Sequence, residues 1–292
     1  MYDDWFAGYT AEVRDRISGA DIVQLAPLTE WGWNVAEKPA VLDEVDLKIE
    51  HTYRVKDRCI EIARWLKLSD RDIELAATIG LFHDLGRFRQ ALRFGTMDDR
   101  VTGSHGQMSA DIFLQDAPKG KLKGDEISVI ADALKYHNVF KLPGSLKGRS
   151  LFFTQLARDG DKLDIFRFYT DKIDKKEKRG FRFIMSEEDG EYSPDMLEGV
   201  LCGKNLKVSG IRNKNDRKLM QISLVYDLNF GYSFQWMLEK DYLAIIAGVC
   251  GGSAADKSLN PLDPLNPDET IQKVYNYATE WMKARTNKGT SN

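Results

Sequence analysis

The apolar residues between Glu44 and Thr170 recur at steps of three and four positions, which is the spacing of one face of an α-helix. Within this region, the pattern predicts one helix over residues 73–88 that is apolar on nearly every side until His83, as is typical of a central helix that its neighbours cover all round. The pattern therefore predicts an all-α fold. The first apolar stripe includes a histidine and consists of Leu47, His51, Val55, Cys59, Ile62 and Leu66.

The chain has only four histidines, and all of them lie between residues 51 and 137. The helical pattern turns most of them inward, and a buried ionisable side chain without a partner is costly unless a cation compensates it. Imidazole together with carboxylate suits iron, manganese, zinc or nickel, whereas a calcium site would be built of oxygen ligands. One such histidine alone is more often a satisfied core residue, but the joint pattern favours a metal site. Its candidate ligands, on five successive predicted helices, are His51, His83, Asp84, His105, His137 and Asp161.

The composition is that of a soluble globular protein, with 42% hydrophobic residues, 30% charged residues and a formal net charge of -3. Because there is no basic excess, we expect no nucleic-acid polymer as a partner. The first residues lack the basic start and apolar core of a signal peptide, and no apolar stretch is long enough to span a bilayer. Cys59, Cys202 and Cys250 form no CxxC motif and predict free buried thiols in a reducing compartment. We therefore expect a cytoplasmic protein without a membrane partner, and its oligomeric state stays open.

The candidate ligands lie in motifs that resemble those of the HD-domain phosphohydrolase superfamily. The histidine-aspartate pair lies in LFHDLGRF. The candidate ligands that follow it, His105, His137 and Asp161, lie in SHGQMSADIFL, ALKYHN and RDGDKLDIF. The core pattern of that superfamily, H…HD…D, is matched by His51, His83–Asp84 and Asp161. The extra histidines, His105 and His137, match its subgroup with two metals. The resemblance covers about residues 45–170 and implies an all-helical core with the ligands converging at its centre.

The resemblance also implies roles for these residues. Asp84 would bridge two metals, with one of them held by His51, His83 and Asp161. The other would be held by His105 and His137. One or two divalent transition-metal ions so placed would bind a phosphate and lower the pKa of a shared water for attack. Asp159 and Asp164 flank Asp161 in the sequence. Asp161 is preferred as the metal ligand because a carboxylate before Lys-Leu matches the family motif, and Asp159 is the alternative.

Four further residues are candidates for contact with the substrate. Arg87 lies one helical turn after Asp84, where many relatives have a lysine, and a guanidinium there can hold a phosphate oxygen. We therefore predict catalytic roles for Asp84 and Arg87, although a salt bridge is an equal alternative for Arg87. Arg54 is one turn beyond His51. Asn138 and Lys162 adjoin predicted ligands and could orient them.

The pattern divides the chain into three segments. The pattern predicts short helices and loops that cover a core at residues 1–43 and the metal-binding core at residues 44–170. It predicts a C-terminal helical extension at residues 171–292. All three could form one compact domain. One short run of the extension, FRFIM at residues 181–185, has the character of a strand.

The resemblance leaves the activity open between three hypotheses. The first is a phosphohydrolase that cleaves a small, nucleotide-like phosphoester, so that its partner is a small phosphorylated substrate. The second is a di-iron oxygenase of the HD fold that acts on a polyol or a phosphonate-like substrate, because its ligand set is nearly the same. The third is a binding protein without activity, which the complete ligand set disfavours. The cyclic-dinucleotide branch has a GYP motif where this chain has HNVFKLPG, which argues against that substrate.

Overall fold

The computed structural model describes residues 1–19, 38–120, 122–170, 188–249 and 268–287. The regular elements of these residues are all helices, which confirms the predicted all-α fold. The strand-like run at 181–185 lies outside the described residues. The described chain forms two compact units that divide between Gly160 and Asp161. The boundaries expected after residues 43 and 170 stay predictions.

The first unit is built from helices, most of which pack against a helix that is near in the chain. The second helix packs on the third, the fourth on the sixth, and the sixth on the seventh. Their bounds are α1 Tyr2–Gly19, α2 Lys38–Trp65, α3 Asp70–Phe82, α4 Leu85–Phe94, α5 Asp99–Thr102, α6 His105–Gln115, α7 Gly124–Tyr136 and α8 Gly148–Thr170, of which the part up to Gly160 belongs to this unit.

Serine caps fix the starts of two helices of the first unit. The Ser69 side chain accepts a hydrogen bond from the backbone N–H of Asp72, which is typical of a serine N-cap. Ser104 accepts in the same way from the N–H of Gln107. The second cap matters for function because α6 then begins at His105, one of the predicted ligands.

The histidine-aspartate pair lies between two helices, whereas the sequence predicts one continuous helix there. α3 ends at Phe82 and α4 begins at Leu85, and Asp84 has a φ of -104° and a ψ of 16°. Consecutive side chains of an α-helix point about 100° apart, since it has 3.6 residues per turn. The interruption lets His83 and Asp84 face the same centre.

Gly86 allows α4 to approach α6 closely. A Cβ at this position would lie 2.9 Å from Met108 Cβ and closer still to the carbonyl oxygen of His105. We expect Gly86→Ala to lower the free energy of unfolding in urea by about 1–3 kcal/mol, because backbone must move to admit the methyl group. The matched control is Gly8→Ala on α1, where a Cβ meets nothing within 4 Å and should stabilise the helix. Equal stability of the two variants would contradict the close packing at Gly86.

The second unit is also helical among its described residues. Beyond the last residues of α8 it comprises α9 Pro194–Leu201, α10 Lys214–Ser223, α11 Gly231–Lys240, α12 Tyr242–Ala247 and α13 Glu269–Lys283, with short 3-10 turns at Val208–Gly210 and Leu224–Asp227.

Two helical stretches of the second unit, residues 214–227 and 231–247, are each divided. The stretch that includes α10 ends as a 3-10 turn over Leu224–Asp227. The next is divided at Asp241, whose φ of 50° is left-handed and separates α11 from α12. Aspartate tolerates this conformation better than most residues, because its short polar side chain can bond locally.

The cysteines only partly follow the prediction of buried thiols. Cys59 is buried on α2, but Cys202, directly after α9, is exposed, so the prediction was wrong for Cys202. Cys250 lies outside the described residues. No helix in the described part of the chain combines the length and apolar character needed to cross a membrane.

Candidate metal centre

Four imidazoles surround the carboxylate of Asp84 in the first unit. On one side, the Nε2 atoms of His51 and His83 lie 3.6 and 3.4 Å from Asp84 Oδ2. On the other side, the Nε2 atoms of His105 and His137 lie 3.3 and 3.8 Å from Asp84 Oδ1. The carboxylate therefore stands between two pairs of histidines, with one oxygen toward each pair.

These five side chains are all buried and come from four places along the chain. His51 lies within α2, and the pair His83–Asp84 lies at the interruption between α3 and α4. His105 is the first residue of α6, and His137 directly follows α7. All five are at most 7% exposed. Four elements thus bring polar side chains to one dry centre, where partners or a cation must compensate them.

Backbone carbonyls fix the orientation of two imidazoles. His83 Nδ1 lies 2.7 Å from the carbonyl oxygen of Gly80, and His137 Nδ1 lies 2.8 Å from that of Leu134. A carbonyl oxygen can only accept, so Nδ1 must carry the proton in both rings. The lone pair of each Nε2 then points toward Asp84, which is the arrangement that metal-binding histidines adopt.

Asp99 holds the third imidazole, and nothing in the sequence distinguishes it from its neighbour Asp98. Its Oδ2 lies 2.7 Å from His105 Nδ1. Its Oδ1 accepts from Gln90 Nε2 at 2.8 Å and from Arg87 Nη1 at 3.1 Å. Burial would raise the pKa of Asp99, but the hydrogen bond with His105 and the charges of His105 and Arg87 lower it below its usual range. Asp99 is therefore a carboxylate that directs Nε2 of His105 to the centre.

We expect Asp99→Asn to weaken metal binding by about 10- to 100-fold, the usual effect of removing a partner of a metal-binding histidine. An amide presents a donor as well as an acceptor, so it no longer fixes the tautomer of His105. Titration of metal-free protein with Co²⁺, followed by visible absorption, measures the affinity. The matched control is Asp98→Asn, since Asp98 pairs with the exposed Arg100. Identical Co²⁺ affinities and spectra in the two variants would refute this role.

The centre has the electrostatics of a cation site. His51 Nε2 and His83 Nε2 are 3.3 Å apart, and the Nε2 atoms of His105 and His137 are 3.1 Å apart. Where Nδ1 carries the proton, two facing Nε2 lone pairs repel one another unless a cation lies near both. Ligand atoms of His83, Asp84 and His137 all lie within 4.8 Å of one another. This donor set fits a divalent transition metal.

Charge and burial set the protonation of the centre. Burial would raise the pKa of Asp84, but the positive charge of Lys48 and the contact with His83 hold it well below its usual range. Burial and the charge of Arg87 lower the pKa of His105. A charged carboxylate and neutral imidazoles are the forms that bind metals. Lys48, whose Nζ lies 2.7 Å from Asp84 Oδ2, was not among the residues predicted from the sequence.

Arg87 lies beside the centre, as its position one turn after Asp84 suggests. Its Nε is 3.8 Å from Asp84 Oδ1, buried, and without a hydrogen-bond partner in the described part of the chain. Its Nη1 donates to Gln90 Oε1, to Asp99 Oδ1 and to the carbonyl of Met97. The salt-bridge alternative is therefore met by Asp99, while Nε still faces the centre.

The other predicted substrate residues have varied surroundings. Asn138 donates to Asp99 Oδ2 at 3.2 Å and lies 3.1 Å from His105 Nδ1, next to the ligands as predicted. Arg54 is half-buried, and its Nη1 lies 3.5 Å from Glu50 Oε2 on the same helix. Their roles toward a substrate stay predictions.

The candidates on α8 divide between the two units. Asp159 is fully buried in the first unit. Asp161 is half-buried and is the first residue of the second unit, so the choice of Asp161 as the sixth ligand stays a prediction. Lys162 forms an ion pair with Asp227 at 2.7 Å within the second unit. Asp164 accepts from Arg167 at 2.9 Å in the same unit.

Comparison with known proteins gives one match. The family model described as HD domain matches residues 49–177. This confirms the predicted resemblance over the stretch that holds every candidate ligand. Neither the curated proteins nor the solved structures contain a significant match to the chain.

Proposed function

We propose that this protein cleaves a small phosphoester with bound metal ions, because residues 49–177 match the HD-domain family model and domains of that family are generally metal-dependent phosphohydrolases. The observation that supports this most is the convergence of four imidazoles on the two oxygens of Asp84. A structural core has no need of four ring nitrogens gathered around one buried carboxylate, whereas a metal centre is built from such donors.

One or two divalent transition-metal ions are proposed as the cofactor. Asp84 would lie between them, with His51 and His83 on one side and His105 and His137 on the other. Asp161 is proposed as a further ligand of the first position. When bound, such ions lower the pKa of a water molecule and stabilise the charge on a phosphate oxygen.

The side chains around this centre supply binding and orientation. Arg87 Nε, buried beside Asp84 Oδ1 without a described partner, can donate to a phosphate oxygen while Asp99 holds the other end of the guanidinium. Asp99 accepts from His105 Nδ1, and Asn138 donates to Asp99, so the two residues together keep His105 in place. We propose Arg54 and Lys162 as more distant contacts of the substrate.

The proposed partner is a small phosphorylated molecule and not a nucleic-acid polymer. The formal net charge of -3 supports this, because a polymer of phosphates is normally bound by a basic surface. A cytoplasmic location and the substrate itself remain parts of the proposal.

The test is metal content by elemental analysis of protein purified without added metal or chelator. The same sample is then assayed for phosphate release from a panel of nucleotides and from a generic phosphate ester. One to two equivalents of transition metal with phosphate release would support the proposal. Two irons with oxygen uptake and no phosphate release would favour the oxygenase hypothesis, and protein that binds no metal would refute both.

A further inference from the structure

Lys48 reaches the centre from the rim of the site. It lies on α2 three residues before His51, so the two side chains leave the same face of the helix. Its Nζ lies 2.7 Å from Asp84 Oδ2, although its side chain is 20% exposed and that of Asp84 only 3%. In the described part of the chain, Asp84 is the one acidic group within salt-bridge distance of this ammonium.

The two cations beside Asp84 are held differently. Arg87 approaches Oδ1 and has a second carboxylate, Asp99, that keeps its charge balanced. Lys48 approaches Oδ2 on the side of His51 and His83 and depends on Asp84. A metal ion at the centre would take up the charge of Asp84. Lys48 would then lose its counter-charge, whereas Arg87 would keep Asp99.

An ammonium beside divalent cations requires a new counter-ion, because its attraction to a shared carboxylate weakens and the cations repel it. A phosphate group supplies negative charge and several acceptor oxygens at this place. Lysine binds such groups as a compact point charge with three donors.

We infer that Lys48 is an anion-binding residue of the site, and that it contacts an anionic oxygen of the substrate once metal has engaged Asp84. This inference rests on the proposed metal centre, and it requires that the substrate carry a negative charge next to the metal position. The bound group is an oxyanion such as a phosphate, held between the metal position and the ammonium.

The experiment compares Lys48→Met and Lys48→Arg with the wild-type protein. Co²⁺ binding to metal-free protein and binding of inorganic phosphate to Co²⁺-loaded protein are measured by calorimetry. We expect Lys48→Met to keep its Co²⁺ stoichiometry and to bind phosphate roughly tenfold more weakly or worse, about 1.4 kcal/mol. Lys48→Arg should restore most of the phosphate affinity, because it restores the charge. Lys56→Met is the matched control, since Lys56 is on the same helix and pairs with Asp3.

Two results would overturn the inference. One is a phosphate affinity of Lys48→Met within about twofold of the wild-type and Lys56→Met values, which is below 0.5 kcal/mol. The other is a weaker Co²⁺ affinity in Lys48→Met that Lys48→Arg restores, while both variants bind phosphate as tightly as the wild-type protein once they are loaded with Co²⁺. Lys48 would then only support Asp84 as a metal ligand. If Lys48→Met does not fold, Lys48→Gln repeats the comparison. Wild-type protein that binds phosphate through Lys48 but hydrolyses no ester would refute the proposed hydrolysis and leave this inference standing.

Discussion

Asp84→Asn is expected to abolish metal binding and phosphate release while the protein stays helical. An amide has one acceptor oxygen and no charge, so it cannot present a carboxylate oxygen to each pair of histidines. Removing an outer partner of a metal ligand already costs about 10- to 100-fold in affinity, so loss of the central ligand should cost more than about 100-fold. Elemental analysis and Co²⁺ titration measure the loss, and circular dichroism reports the fold.

The control for this variant is Asp116→Asn. Asp116 also pairs with an arginine, Arg89, at 3.2 Å, but its side chain is 52% exposed and lies outside the cluster. It should bind metal like the wild-type protein. Full metal content and unchanged turnover in Asp84→Asn would refute the assignment of the centre.

Removing the metal is expected to lower the thermal stability of the folded protein. A ligand that binds only the native state at about 100 times its Kd stabilises it by about 2.7 kcal/mol, which corresponds to roughly 5–10 °C in Tm for a domain of 150–250 residues. In this protein the metal would also relieve the repulsion between the Nε2 atoms of His105 and His137, which lie 3.1 Å apart. Differential scanning fluorimetry with chelator, and then with Co²⁺, Mn²⁺ or Zn²⁺ restored, measures the change.

Two comparisons make this measurement specific. Ca²⁺ at the same concentration should restore little stability, because it prefers oxygen ligands. The Asp84→Asn variant should show the same Tm with and without transition metal. A wild-type Tm that does not change with chelator or added metal would contradict a cation at this centre.

The helical character of the chain could be predicted because helix period is a local property. The stripe through His51 and Val55 needs only the order of residues, and both side chains are buried on α2 as expected. The cap at Ser69 and the start of α6 at His105 follow from neighbouring residues in the same way. The division at Asp241 was not predicted, since no apolar pattern marks a single left-handed residue.

The sequence by itself determined the all-α class and the candidate set of histidines and aspartates. It did so because inward-facing ionisable residues need compensation wherever the chain folds. Only the tertiary structure decided that Asp84 lies between two histidine pairs, since that depends on an interruption of the helix that its apolar run conceals. The same holds for Asp99 and Lys48, which reach the centre from a short helix and from one turn along α2. Their contacts join residues up to 39 positions apart, and packing between helices, not local sequence pattern, determines which distant side chains meet.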